Sequence, residues 1–145
     1  MSDIIEVYSA TQKGNDPVST VNRVAERIIA LHRKMYEESP TNMKLQKLCY
    51  YAQGYFLAER KGTPLFSEDF QAWALGPVCR ELYDSYKNYR YLPINVDINE
   101  SPLDSDLEEH IEAIVASYGR YDAAALSTMT HKEEPWVSAR GTTPE

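Results

Sequence analysis

Two stretches of the chain repeat apolar side chains at the 3, 4, 3 spacing of a helical face. This periodicity constrains the fold more than any other feature. The first runs through Val21, Val24, Ala25, Ile28, Leu31, His32 and Met35. The spacing predicts a helix from Ser19 or Thr20 to about Glu37, with Arg23, Glu26, Arg27 and Arg33 on or near its outer face. Ser39-Pro40 stops it, because proline cannot continue the hydrogen-bond ladder. The second runs through Leu45, Leu48, Cys49, Ala52, Tyr55 and Phe56. Thr41 or Asn42 supplies its N-cap, it ends near Arg60, and Gly62 stands where a C′ glycine releases the chain.

The remaining segments are shorter. Phe70–Ala74 alternates as a strand does. Gly76-Pro77 reads as a turn, with Pro77 at the first position of a third helix reaching about Asn88. Ile94, Val96 and Ile98 alternate again and predict a second strand. Ser105 and Glu108 form a capping box that starts a fourth helix, which Gly119 ends. Asp122 caps a fifth, Ala123 to about Thr130, and Pro135-Trp136 opens a last short element. Residues 1–16 lack periodicity and read as a flexible arm with room for one short strand; 17–145 read as one domain. The expectation is a mainly α fold: a compact helical domain of about five helices with a small two-stranded β element.

At 145 residues such a domain buries enough surface to need no staple. Cys49 and Cys79 make neither a disulfide framework nor a four-ligand zinc site. No apolar run approaches the roughly 18 residues of a membrane span, and the opening residues have no basic leader. The expected location is the cytoplasm, with no membrane partner. The net charge of −7 falls entirely in residues 73–145, since residues 1–72 balance. An acidic run from Asp97 through Glu100, Asp104, Asp106, Glu108 and Glu109 to Glu112 carries no Lys or Arg. That run repels nucleic acid and attracts a basic protein. Four of its members fall in the first turn of the fourth helix, where the macrodipole favours negative charge anyway.

Candidates for chemistry are few. Ser127 and His131 are four apart on one helix, a nucleophile-and-base spacing with Asp122 as orienter. No strand–turn–helix elbow surrounds the serine, so backbone contacts are the plainer reading and no catalytic residue is assigned. His131 and Glu134 lack the partners at metal-site spacing that a ligand set needs, with only His32 and His110 elsewhere. No metal and no cofactor is expected. Cys79, near a helix start, is either a thiol activated by the dipole or a core residue. Eleven tyrosines suit protein interfaces or core edges. Tyr51 and Tyr89 fall off the buried stripes. With Asp97, Glu100, Glu108 and Glu109 they are the expected protein-binding residues.

Four strings carry a family resemblance. They are Met43–Gln53; Phe70–Trp73 with Gly76-Pro77-Val78; Leu82-Tyr83; and Leu126-Ser127 with Thr130-His131 through Pro135-Trp136. In this order they resemble the Panacea domain family of SocA-like antitoxins and GepA-like phage-associated proteins, over about residues 20–140. The resemblance implies an antitoxin that neutralises a toxin protein, encoded by the neighbouring gene, through direct contact. One branch of the family implies an alternative, an adaptor that delivers its toxin to a protease. A small hydrolase using Ser127 and His131 is the remaining rival. The family brings no catalytic residues. Its recurrent Trp73, Gly76, Pro77, Tyr83, His131, Pro135 and Trp136 read as scaffold. Relatives of this kind often continue past Gly141–Pro144 into a further helix; Thr143-Pro144-Glu145 resembles the start of one, and no basic DNA-binding module is expected in these residues.

Overall fold

A computed structural model of the chain describes residues 6–8 and 16–132. The elements run β1 (Glu6–Tyr8), α1 (Val21–Tyr36), α2 (Asn42–Glu59), β2 (Phe70–Trp73), β3 (Gly76–Cys79), α3 (Arg80–Tyr86), a 3-10 turn (Lys87–Tyr89), α4 (Ser105–Tyr118) and α5 (Ala123–His131). Over the described residues the domain is mainly α, with five helices and a β2–β3 hairpin that β1 joins at one edge. The element expected at 135–141 lies outside the described residues, as do Glu134, Pro135 and Trp136.

The two strongest periodic segments form helices as expected, except that Tyr55, expected on the buried stripe of the second, is 46% exposed with its hydroxyl 2.6 Å from that of Tyr118. Thr20 and Thr41 cap α1 and α2, each hydroxyl accepting a backbone N–H three residues on at 3.2 Å. At the end of α2 the left-handed residue is Lys61 (φ 54°), and Gly62 follows at φ 96°. The Gly62 N–H donates to Leu57 O at 2.9 Å, so the glycine occupies C″ of a Schellman closure rather than C′. Helix α5 starts at Asp122 as expected, whose carboxylate accepts the Ala125 N–H at 2.8 Å.

α2 is the centre of the molecule. α1, α3, α4, α5 and β3 all pack against it. Leu45, Leu48, Cys49, Ala52 and Phe56 are fully or almost fully buried, with Ile28 and Ile29 of α1 and Ile111 and Val115 of α4 in the same core. Gln46, Lys47 and Gln53 are also buried, at 1, 1 and 0% exposure. A single apolar stripe therefore underestimates how much of this helix is covered.

Three local expectations are corrected. Residues 76–79 are a strand, not a turn entering a helix. Ala72 pairs with Pro77 and Trp73 with Gly76, and α3 begins only at Arg80. β3 is the outer strand of the sheet, where a residue without an N–H is tolerated. Residues 92–98 form no ladder. Ile94 is buried and Val96 and Ile98 pack on the core, so the alternation is real. The backbone is instead satisfied by Pro40 O, which accepts the Ile94 N–H at 2.9 Å, and by the Arg33 guanidinium. That guanidinium donates to Ile94 O at 3.0 Å and to Val96 O at 2.6 Å.

Helix α4, finally, is capped at Asp104, one residue before the expected Ser105. The reach-back carboxylate survives: Glu108 accepts the Leu103 N–H at 3.0 Å. The same carboxylate is gripped by Arg27, which donates from Nε at 3.1 Å and from Nη2. Arg27, expected near the outer face of its helix, is only 7% exposed. This pair clamps α1 to the start of α4.

Because Leu48 is fully buried in the central helix, Leu48→Ala should cost roughly 2–5 kcal/mol of stability, read as a lower urea midpoint at unchanged m.

Candidate functional site

The buried polar groups of α2 explain how the hairpin is held. Gln46 accepts the Cys79 N–H at 2.8 Å and donates weakly to Cys79 O at 3.4 Å. Two turns later, Gln53 accepts the Leu65 N–H at 2.7 Å and donates to Phe66 O at 2.6 Å. Each glutamine replaces the neighbour that an unpaired stretch of backbone would need in a sheet. Leaving such groups unmade would cost about 1–3 kcal/mol apiece.

Between these two, Lys47 donates to Pro77 O at 3.3 Å. Gly76 makes room for it. A Cβ on Gly76 would lie 2.7 Å from Lys47 Cε, and its φ of +116° is itself a glycine conformation. Among the described residues no carboxylate pairs with Lys47. Burial pulls its ammonium down from the usual 10.5 to about 7.

α5 fixes the tip of the same hairpin. Ser127 Oγ donates to Leu75 O at 2.5 Å. The two ring nitrogens of His131 face Ser127 O and, at 2.5 Å, Ala74 O. The serine hydroxyl and the imidazole are thus both directed at backbone carbonyls. The dyad is an anchor for the turn, and no nucleophile–base hydrogen bond joins its members. His32 and His110 do the same elsewhere, facing Glu38 O at 2.5 Å and Ala52 O at 2.9 Å. Among the described residues no three His, Cys, Asp or Glu side chains gather as a metal would require. Cys79 is buried, and burial pushes its thiol up to about 12, the reverse of an activated cysteine.

With its tip pinned, the hairpin forms one wall of a cleft of about 630 Å³. The start of α2 and the α3 segment with the residues after it form the others. Trp73 and Tyr83 meet on the wall, ring centroids 5.3 Å apart, and the Arg80 guanidinium lies 5.2 Å from the indole. Trp73, expected as a packing residue, therefore stands half-buried at a concave surface. Lys47, Lys87 and Arg90 also line the cleft, and no carboxylate does among the described residues. Leu75 and Tyr91 stand at its edge, 58 and 83% exposed. Sequence reasoning missed this site because its residues come from four segments, each with a separate structural explanation.

The expected protein-binding residues are scattered. Tyr51 is not exposed; it is 4% accessible and stacks on Tyr118, centroids 4.2 Å apart and planes within 2°. Glu108 is committed to Arg27. Burial works to raise its carboxyl, but the hydrogen bonds from Arg27 and the Leu103 amide, with the Arg27 charge, outweigh that and hold it below the usual value. Asp97, Glu100 and Glu109 are exposed, and Tyr89 is half-buried beside the cleft residues Arg90 and Tyr91.

Comparison with known proteins adds the family. Residues 45–137 match the model of the antitoxin SocA-like, Panacea domain. The chain belongs to this family. It is also 32% identical over 140 residues to the antitoxin SocA of Caulobacter vibrioides (strain NA1000 / CB15N), covering 87% of this chain and 74% of that protein. No solved structure matches the chain significantly. Membership in the SocA-like family supports an antitoxin role. No helix among the described residues is long and apolar enough to cross a membrane.

Two predictions follow from the buried polar groups. Ser127→Ala removes a donor to the turn and should cost about 1 kcal/mol in urea unfolding. For Lys47 the folded pKa lies below the unfolded one, so between pH of about 7 and 10.5 the unfolded chain binds more protons. Stability should rise with pH across that window. Lys47→Met should remove a slope on the order of 1 kcal/mol per pH unit and stabilise the protein at neutral pH. An unchanged slope in that variant would show that Lys47 stays charged in the fold.

Proposed function

We propose that this chain is the antitoxin of a bacterial or phage toxin–antitoxin pair, acting in the cytoplasm by direct binding to its cognate toxin. The observation that carries the reading is membership in a family named for antitoxins, with a curated antitoxin similar across most of the chain. The site chemistry agrees with it. Ser127 and His131 hold the hairpin tip through backbone carbonyls, which leaves the hydrolase alternative without its central hydrogen bond.

In this reading the exposed acids Asp97, Glu100 and Glu109 act at long range. Their field raises the encounter rate with a basic toxin surface, an effect that salt screens. Tyr89 joins the contact itself from beside the cleft. Glu108 and Tyr51 contribute by holding α4 and the core in place. The recurrent Trp73, Gly76, Pro77, Tyr83 and His131 build the hairpin and its surroundings.

The test is to express the neighbouring reading frame alone and together with this chain. Growth arrest that is relieved with a stable co-purifying complex is the expected result. Relief accompanied by loss of the toxin would instead favour delivery to a protease. Absence of arrest would overturn the pairing. Ser127→Ala should protect cells as fully as the unaltered chain, and loss of protection by a folded Ser127→Ala would return the hydrolase to consideration.

A further inference from the structure

We infer that the cleft between the start of α2, the β2–β3 hairpin and the segment after α3 seats an extended piece of the toxin that carries a large apolar side chain next to a carboxylate. This rests on the antitoxin reading and says where and by what chemistry the partner is held.

Charge is the first argument. The chain as a whole carries −7, yet the charged side chains lining this concavity are Lys47, Lys87 and Arg90. Lys87 pairs with Asp84 at 3.5 Å, both about half exposed, a contact worth little in water. Arg90 has no ion-pair partner among the described residues. Lys47 has three N–H donors and one acceptor at 3.3 Å, at a site where burial works against its charge. A carboxylate arriving in the cleft would supply a counter-charge that the described residues do not.

Apolar surface is the second argument. Among the described residues, five large hydrophobic side chains are well exposed, and Leu75, Tyr91 and Leu92 are three of them. Leu75 and Tyr91 belong to the cleft and Leu92 adjoins it. Trp73 and Tyr83 line the same cleft. Aromatic and arginine side chains around a concave centre are the composition of a protein-binding hot spot. The cleft volume of about 630 Å³ fits an inserted side chain and its neighbours. A phosphate polymer is a poorer occupant, because the acidic surface of the rest of the chain would repel it.

Rigidity is the third. The hairpin wall is held by Gln46, Lys47, Ser127 and His131, none of which needs to move for the cleft to exist. A preformed seat spends less ordering entropy on binding.

The experiment titrates the purified product of the neighbouring reading frame with full-length variants. One variant combines Leu75→Asp with Tyr91→Ala, both at exposed positions, and a second combines Lys87→Glu with Arg90→Glu. Each should keep its melting temperature and weaken Kd by about tenfold or more. Lys47→Met should weaken Kd while raising stability, a combination that a purely structural lysine would not give. Glu109→Lys, on α4, should change Kd little at high salt. Unchanged affinity in the first two variants would overturn the inference and leave the antitoxin reading standing. Failure of the unaltered chain to bind would remove the antitoxin reading itself. Loss of affinity in the apolar variant without any in the charge variant would overturn the carboxylate. Cleft variants that keep affinity but dissociate a dimer of the free chain, or lower its melting temperature, would assign the cleft to a second copy or to the chain's own terminal residues, and would also overturn the inference.

Discussion

The structure depends on a helix whose polar side chains are buried along with its apolar ones. Gln46, Lys47 and Gln53 of α2 reach the backbone of two segments that, among the described residues, have no strand beside them there. Each contact satisfies groups whose isolation in the interior would cost more than a typical hydrogen bond contributes. The two glutamines do this with both ends of the amide. The lysine does it with one bond and an uncompensated charge, the least favourable arrangement of the three. A fold that keeps such a lysine, and a glycine shaped around it, carries an unusual local cost for a single hydrogen bond to the hairpin.

That cost becomes intelligible at the cleft. The same contacts that suspend the hairpin also define a concave surface with cations inside and exposed apolar side chains at its edge. α5 contributes from the other side, where Ser127 and His131 pin the turn. The features that look most like an active site are thus supports for the hairpin that walls the cleft. Family membership supports an antitoxin role.

Much of this fold was legible because periodicity and caps act locally. α1, α2 and α5 start where Thr20, Thr41 and Asp122 accept an N–H in the first turn. β2 showed its alternation. What sequence could not show was the destination of polar groups. Pro77 reads as a helix opener until the strand register places it on an outer strand. Ile94 and Val96 look like strand residues because their side chains do alternate, while a guanidinium 61 residues from Ile94 takes the place of a neighbouring strand. Arg27 and Glu108 look like surface charges, and each is buried or half-buried by the other. Tyr51 reads as exposed on a helix with one buried stripe, whereas α2 is covered from several sides. The cleft was illegible for the same reason: Lys47, Trp73, Leu75 and Arg90 acquire a common meaning only once the chain brings them together.

The central claim is that a hairpin suspended from α2 forms the surface on which a partner is held. Amide hydrogen exchange of the full chain, free and in complex with the product of the neighbouring reading frame, tests it most directly. Protection gained on complex formation should concentrate at the cleft: the start of α2, residues 73–78 and residues 83–91. Protection confined to the outer face of α4, with the cleft exchanging as in the free chain, would contradict it.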